Sequence, residues 1–191
     1  TFHKGIYYYG AKEKRFLPLK DSVISKLSSA TGFVQDDSGN NIIIGTFGLG
    51  AYVYSLATGK TEGYYPTNEA KDYSQIQLIN SVGKDGNGGV WLSTYSGGLY
   101  RYNAGMSFKS TFSRFDMRSG LSNNNILSVC GDGDSALWLL SGNGISALNR
   151  EGKFLYNLSE AELFNFSTYS SDSRFGHQIY FNPKKSELLV G

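Results

Sequence analysis

Two histidines, scattered carboxylates and a recurring set of Asp- and Gly-bearing turns are the residues of this chain that could do chemistry. His3 and His177 lie near opposite ends, and neither has a Cys, Asp or Glu at ligand spacing, so no zinc site is expected. Turns such as DGNGG (85–89) and DGDS (132–135) supply only two or three oxygen-bearing side chains each. A calcium loop needs several more and a closing bidentate Glu, so these segments read as hairpin turns and no metal is expected. TYSGG (94–98) and SGNG (141–144) are followed by neither a Lys-Ser/Thr pair nor a helix, which removes a phosphate cradle. No Ser-His-Asp or Cys-His arrangement recurs. Asp116, Glu160 and Glu162 fall in connectors. Two carboxylates brought together by folding would make a glycosidase, and spacing alone leaves that alternative open. The expectation is a chain without catalytic residues or a cofactor.

The elements that must position any site come from a repeat. GGVWLSTYSGGLYRY (88–102) reads as two short strands joined by a glycine-bearing turn. IIIGTFGLGAYVY (42–54) and ALWLLSGNGISAL (136–148) repeat it. The middle of the first strand falls at Ile43, Trp91, Trp138 and Leu189, in steps of 48, 47 and 51 residues. The second strand runs through Ile6, Ala51, Leu99 and Ile145, in steps of 45, 48 and 46. A period in the forties made only of short strands is the signature of a propeller blade. The fold class is therefore all-β, a partial β-propeller of four-stranded antiparallel blades: a trailing half blade over 1–18, whole blades over 19–65, 66–115 and 116–158, and a leading half blade over 159–191. Each whole unit carries an Asp/Gly/Asn hairpin turn between its first two strands. Trp91 and Trp138 take equivalent central positions and are expected in the blade core.

Composition agrees. The chain has 191 residues, of which 40% are hydrophobic and 15% aromatic, with 24 Gly and 3 Pro, which favours folded, turn-rich β structure over disorder. A net charge of +2 makes no electrostatic case for nucleic acid. No apolar run approaches a membrane span, and no secretory leader is expected within these residues. Cys130 is the only cysteine, so no intramolecular disulfide forms; in ILSVC (126–130) it reads as a small buried apolar residue.

Strands that run alternately up and down put the connectors between blades and the Gly-bearing loops within them on one face. The Asp/Gly hairpins fall on the other. The first face gathers Phe47, Gly48 and Leu49; Tyr95, Ser96 and Gly97; Ser141, Gly142 and Asn143; and the lead-in 118–125, with Arg118, Asn123, Asn124 and Asn125. Rings beside Asn, Ser and Arg suit a sugar, which offers a flat apolar face and many hydroxyls. The competing account is that the Asn and Ser side chains cap turns.

LINSVGKDGNGGVWLSTYSGGLYRYN (78–103) and GLSNNNILSVCGDGDSALWLLSGNGISAL (120–148) resemble the two-component regulator propeller repeat over nearly its full length. The unit at 35–65 resembles it too, with Ala51 in place of a large apolar residue; Leu189 replaces the aromatic marker in the last. This resemblance implies the periplasmic sensor region of a Bacteroides-type hybrid two-component system. It implies two propellers of about seven blades, a β-sandwich, a membrane helix, a histidine kinase and a DNA-binding response regulator, the later parts lying outside this sequence. The implied function is extracytoplasmic ligand sensing, with the remaining blades and domains as partners; an oligosaccharide as ligand is the expectation from the residues of the first face. Homo-oligomers through open blade edges are a further expectation. A propeller glycosidase or lyase and a passive interaction scaffold are the alternatives.

Overall fold

The computed structural model describes residues 5–27, 29–65, 77–103, 108–112, 121, 123–133, 136–149, 151–159 and 178–191. β1 (Tyr7–Gly10) and β2 (Arg15–Pro18) pair as an antiparallel hairpin. Three four-stranded antiparallel meanders follow. The first holds β3 (Ala30–Gln35), β4 (Asn41–Thr46), β5 (Gly50–Ser55) and β6 (Lys60–Tyr65). The second holds β7 (Ile79–Lys84), β8 (Val90–Thr94), β9 (Leu99–Tyr102) and β10 (Phe108–Phe112). The third holds β11 (Ile126–Gly131), β12 (Ala136–Ser141), β13 (Gly144–Asn149) and β14 (Phe154–Ser159). β15 (Ile179–Asn182) and β16 (Glu187–Val190) form a second hairpin, and the two hairpins are separate sheets. SEAELFNF (159–166), whose sequence would allow a single helical turn, lies almost wholly outside the described residues.

The turn between the first two strands of each meander has one chemistry. The N–H groups of Asp36, Asp85 and Asp132 donate to the carbonyls of Asn41, Gly89 and Ala136 at 3.0, 2.9 and 3.0 Å. Each carboxylate then accepts the N–H of that same residue at 3.1, 2.8 and 3.0 Å. A short side chain that can bond its own backbone a few residues on is what Asp supplies and a longer residue does not.

Alternation along the strands makes both faces of each four-stranded sheet apolar, so each of the three is buried between two neighbouring sheets. Ile44 and Tyr54 face Ile6, Ile24 and Leu27, whereas Ile43 and Ala51 pack with Ile79, Val82 and Leu92 of the second sheet. Trp91 and Leu99 face Val129, Leu137, Leu139 and Leu148 of the third. Leu140 and Ile145 face Ile179. The inner strands β3, β7, β11 and β15 lie against one another in that order. Their approach is close enough to need glycine: a Cβ on Gly32 would stand 2.9 Å from the Val82 nitrogen, and one on Gly83 2.9 Å from the Val129 carbonyl oxygen.

The segment before β3 is an apolar wedge. A single 3-10 turn, Ile24–Lys26, buries Ile24 and puts Leu27 beside it in the core under the first hairpin. Asp21 holds the wedge. Its carboxylate accepts from the N–H groups of Val23 and Ile24 at 2.9 Å and, across to β6, from the Thr61 hydroxyl at 2.7 Å and N–H at 3.1 Å. Burial pushes the Asp21 carboxyl up, but the bonds from Ile24, Thr61 and Val23 outweigh it and lower its pKa to about 2. The stabilisation it contributes is complete above the unfolded-state value of about 4 and is lost as pH falls toward about 2. The stability gap between wild type and Asp21→Asn, from urea midpoints at pH 2 to 7, should therefore be widest near neutrality and narrow below about pH 4.

The two tryptophans are equivalent in register but not in surroundings. Trp91 pairs with Gly83 and Arg101, Trp138 with Cys130 and Ala147. Trp91 is 0% exposed; its indole N–H donates to Asp85 at 2.9 Å and the Arg101 guanidinium stands 5.1 Å over its ring. Trp138 is only half-buried, because the sheet that covers it is the two-stranded β15–β16. Its ring meets Tyr156 edge-on at 5.4 Å, and its indole N–H has no acceptor among the described residues. Trp91→Ala should cost about 3–5 kcal/mol in denaturant unfolding, and Trp138→Ala clearly less. Equal losses would contradict this difference in burial.

Candidate functional site

The loops that join the second and third strands of each meander share one edge of the molecule with the lead-ins to the inner strands. Register makes their positions comparable. Thr46, Thr94 and Ser141 end the second strands and pair with Ala30, Ile79 and Ile126, the first residues of the inner strands. Phe47, Tyr95 and Gly142 come next, and so hold one loop-tip position in successive blades.

Backbone hydrogen bonds tie these loops into a ledge. The N–H of Phe47 donates to the Ser29 carbonyl at 2.9 Å, and that of Tyr95 to the Leu78 carbonyl at 2.9 Å, each within its own blade. The loops also reach the next blade. Gly50 donates to the Gln77 carbonyl at 3.2 Å and Gly98 to the Asn124 carbonyl at 2.9 Å. The hydroxyls of Thr46 and Thr94 close the loops, donating to the Gly50 and Gly98 carbonyls at 2.6 and 2.9 Å, and the Thr94 hydroxyl also accepts the Gly97 N–H at 2.9 Å. The loops of the first two blades are thus fixed at both ends before any ligand arrives, which is the condition for a preorganised site.

Side chains on this ledge fall into two groups. Phe47 and Tyr95 are 44% and 52% exposed, yet their rings meet edge-on at 6.1 Å across the boundary of the first two blades. Leu49, on the same loop as Phe47, is also exposed. One blade further on the surface becomes amide. Asn123 donates from its side chain to the Asn143 side-chain oxygen at 3.1 Å, and its own oxygen accepts the Asn125 N–H at 2.9 Å. The Asn125 oxygen accepts from the Asn80 side chain at 3.1 Å, and Asn80 also donates to the Ile126 carbonyl at 2.9 Å. Ser96 is half-buried between these groups in sequence, in the Tyr95 loop. The fold therefore joins Phe47 to Tyr95, and Asn123 to Asn143 and Asn125; Asn124 joins the ledge through its carbonyl. Arg118 lies outside the described residues, as do His3, His177, Asp116, Glu160 and Glu162.

Asn80 was not anticipated. It sits at a bulge: pairing of the inner strand slips between Ile79 and Ser81, as it does between Ala30 and Gly32 and between Ile126 and Ser128. A bulge re-aims the extra side chain toward a neighbour. Thr31, at the first of these slips, donates to the Ile79 carbonyl at 2.9 Å, and Asn80, at the second, reaches Ile126. The signal in the sequence is a polar residue just inside the start of an otherwise apolar inner strand, at 31 and again at 80.

On the opposite edge the Asp85 carboxylate is buried. Burial raises its pKa, but the Trp91 indole, the N–H groups of Asn87 and Gly89 and the Arg101 charge at 3.2 Å together bring it below the usual carboxylate range. It is satisfied by these partners and acts as a structural clamp. Burial pushes the Cys130 thiol up to about 11, which leaves it unreactive. Among the described residues no three His, Cys, Asp or Glu side chains gather where they could hold a metal ion.

Solved structures share this architecture. The chain is similar to the extracellular domain described for a hybrid two-component system, BT3049, from B. thetaiotaomicron, at 24% identity and a TM-score of 0.68, over 85% of this chain and 21% of that one. A second such domain, from BT4673 of the same organism, matches at 17% identity and 0.67, over 99% of this chain and 23% of the other. The RRP9 WD40 repeats match at 15% identity and 0.57, over 69% of this chain and 38% of theirs. The fold is a β-propeller. This chain spans about a fifth of the length of the two sensor domains it resembles. No family model matches the sequence, and no curated protein matches it.

Asn80→Ala should remove the bridge between the second and third blades and lower stability by about 1–2 kcal/mol. Tyr95→Ala, at an exposed loop tip, should change it by no more than about 0.5 kcal/mol. Thermal or urea unfolding of the two variants distinguishes a residue that holds the ledge from one it merely presents.

Proposed function

We propose that this chain is a ligand-sensing segment of the extracytoplasmic region of a hybrid two-component sensor, binding a neutral oligosaccharide and relaying that event to a kinase outside the chain. The observation that carries the reading is the ledge: exposed rings at Phe47 and Tyr95 next to a hydrogen-bonded amide group, Asn123 with Asn143, on one rigid edge of the blades. A pyranose has an apolar face for a ring and hydroxyls for amides. The likeness to sensor domains supports the signalling class, since their descriptions place them outside the cell membrane in two-component systems. Further blades and domains of a longer protein are the proposed partners, and the periplasm the proposed compartment.

Relay follows from the construction. The loops that carry Phe47 and Tyr95 are bonded to the lead-ins of the next blade, and Asn80 carries that contact to the inner strands. Ordering the ledge therefore biases the fit of one blade on the next, which is how a packed structure passes on a binding free energy.

Titration calorimetry on this chain with cellohexaose, maltohexaose and mannohexaose should give a binding heat with at least one of them. Tyr95→Ala should weaken that binding by about tenfold or more with no change in melting temperature, and chromatography of the mixtures should show the sugar intact. Binding untouched by Tyr95→Ala and Phe47→Ala would move the site off this ledge. Shortened products would make the protein a glycosidase.

A further inference from the structure

Gly142 is a glycine that the fold does not require. Its φ lies outside the left-handed region, unlike its neighbour Gly144 at 125°, so its backbone is open to any residue. Among the described residues a Cβ built on it would meet nothing nearer than the Asn123 side-chain nitrogen, at 3.6 Å, an ordinary contact. The contrast is with Gly32, Gly45, Gly83 and Gly131, where the added atom runs into a neighbouring blade. Position 142 is nonetheless the loop tip that carries Phe47 and Tyr95 in the two blades before it. A side chain of that size would fit the backbone here too, and would lie over the Asn123–Asn143 pair.

We propose that Gly142 is a specificity-determining residue: its missing side chain opens a notch in which the Asn123 amide meets the hydroxyl edge of a ligand whose apolar face rests on Tyr95. This rests on the reading of the ledge as a sugar-binding site. The hydrogen-bond inventory agrees with it. Asn123 gives one N–H to Asn143 and accepts one from Asn125, which leaves a primary amide one further N–H and one further lone pair. A hydroxyl both donates and accepts, and so uses both. The Asn143 N–H donates to the Ser141 hydroxyl at 3.2 Å, which fixes this two-residue loop under the notch. The ligand class that fits is a neutral polyol with one flat apolar face, and the order along the ledge is ring stacking over the second blade and hydrogen bonding over the third. A blade with an aromatic tip at this position would read the ligand differently; the identity of this one residue sets where the apolar part must stop.

The experiment is a graded series at one position, Gly142→Ala, Gly142→Leu and Gly142→Phe, in the intact chain. Affinity is measured by calorimetry for whichever of cellohexaose, maltohexaose and mannohexaose the wild type binds. Melting temperatures should stay within about 3 °C of wild type, Gly142→Ala should bind within about threefold, and Gly142→Phe should bind about tenfold or more weakly. Should the Phe variant melt early, Gly142→Leu decides by the same comparison. Undiminished affinity in well-folded Leu and Phe variants overturns the notch while leaving the ledge reading intact. A wild type that binds none of the sugars overturns both.

Discussion

Each four-stranded sheet in this molecule is apolar on both faces, and that one constraint governs the rest. A four-stranded meander with Ile43 and Ala51 on one side and Ile44 and Tyr54 on the other cannot bury itself alone. It must be sandwiched, and its neighbours carry the same obligation. The result is a series of blades whose inner strands touch in succession and whose glycines, at 32, 83 and 131, mark where backbone meets backbone. The half-buried state of Trp138 is the same rule read from its other side. Trp91 sits between two four-stranded sheets and is sealed, whereas the equivalent indole faces a hairpin and is not.

Sheet-on-sheet packing is non-directional and would tolerate sliding. Directional contacts at the two edges remove that freedom. On one edge Asp36, Asp85 and Asp132 close the hairpins, and Lys84 reaches Asp37 of the preceding blade at 2.6 Å. On the other, the loop tips bond to lead-in carbonyls, and the bulge residues Thr31 and Asn80 bond across to the next blade. The third bulge residue, Leu127, is apolar and packs toward the last hairpin; there the blade-to-blade bond is made by the Ser128 hydroxyl, which accepts the Ile179 N–H at 3.2 Å. The same task is met by different chemistry at one position's remove.

This arrangement separates what is structural from what is available. Residues buried or bonded across a blade boundary hold the register. Those at the loop tips, Phe47, Tyr95 and the Gly142–Asn143 turn, are displayed by the register and contribute little to it. Variation at the tips is therefore cheap for the fold, which lets one scaffold present a different surface at each blade. An aromatic, an aromatic and a glycine occupy that position here.

The sequence by itself determined the blades. A repeat of apolar alternation, Asp-initiated turns and paired glycines is local information, because strands, turns and period are set by residues close in the chain. That is why the strands around Ile43, Trp91 and Trp138 were legible to within a few residues, and why the loops of one face were expected to share an edge. Only the tertiary structure decided what each position touches. The wedge with Ile24 and Leu27 has no strand or helix period to announce it, since its burial comes from the hairpin and the blade on either side. The bulges at Thr31 and Asn80 shift pairing by one residue, a change that alternation cannot reveal. Trp91 and Trp138 look alike in sequence and differ in exposure because burial depends on how much sheet lies opposite, and that is a property of the neighbour, not of the residue.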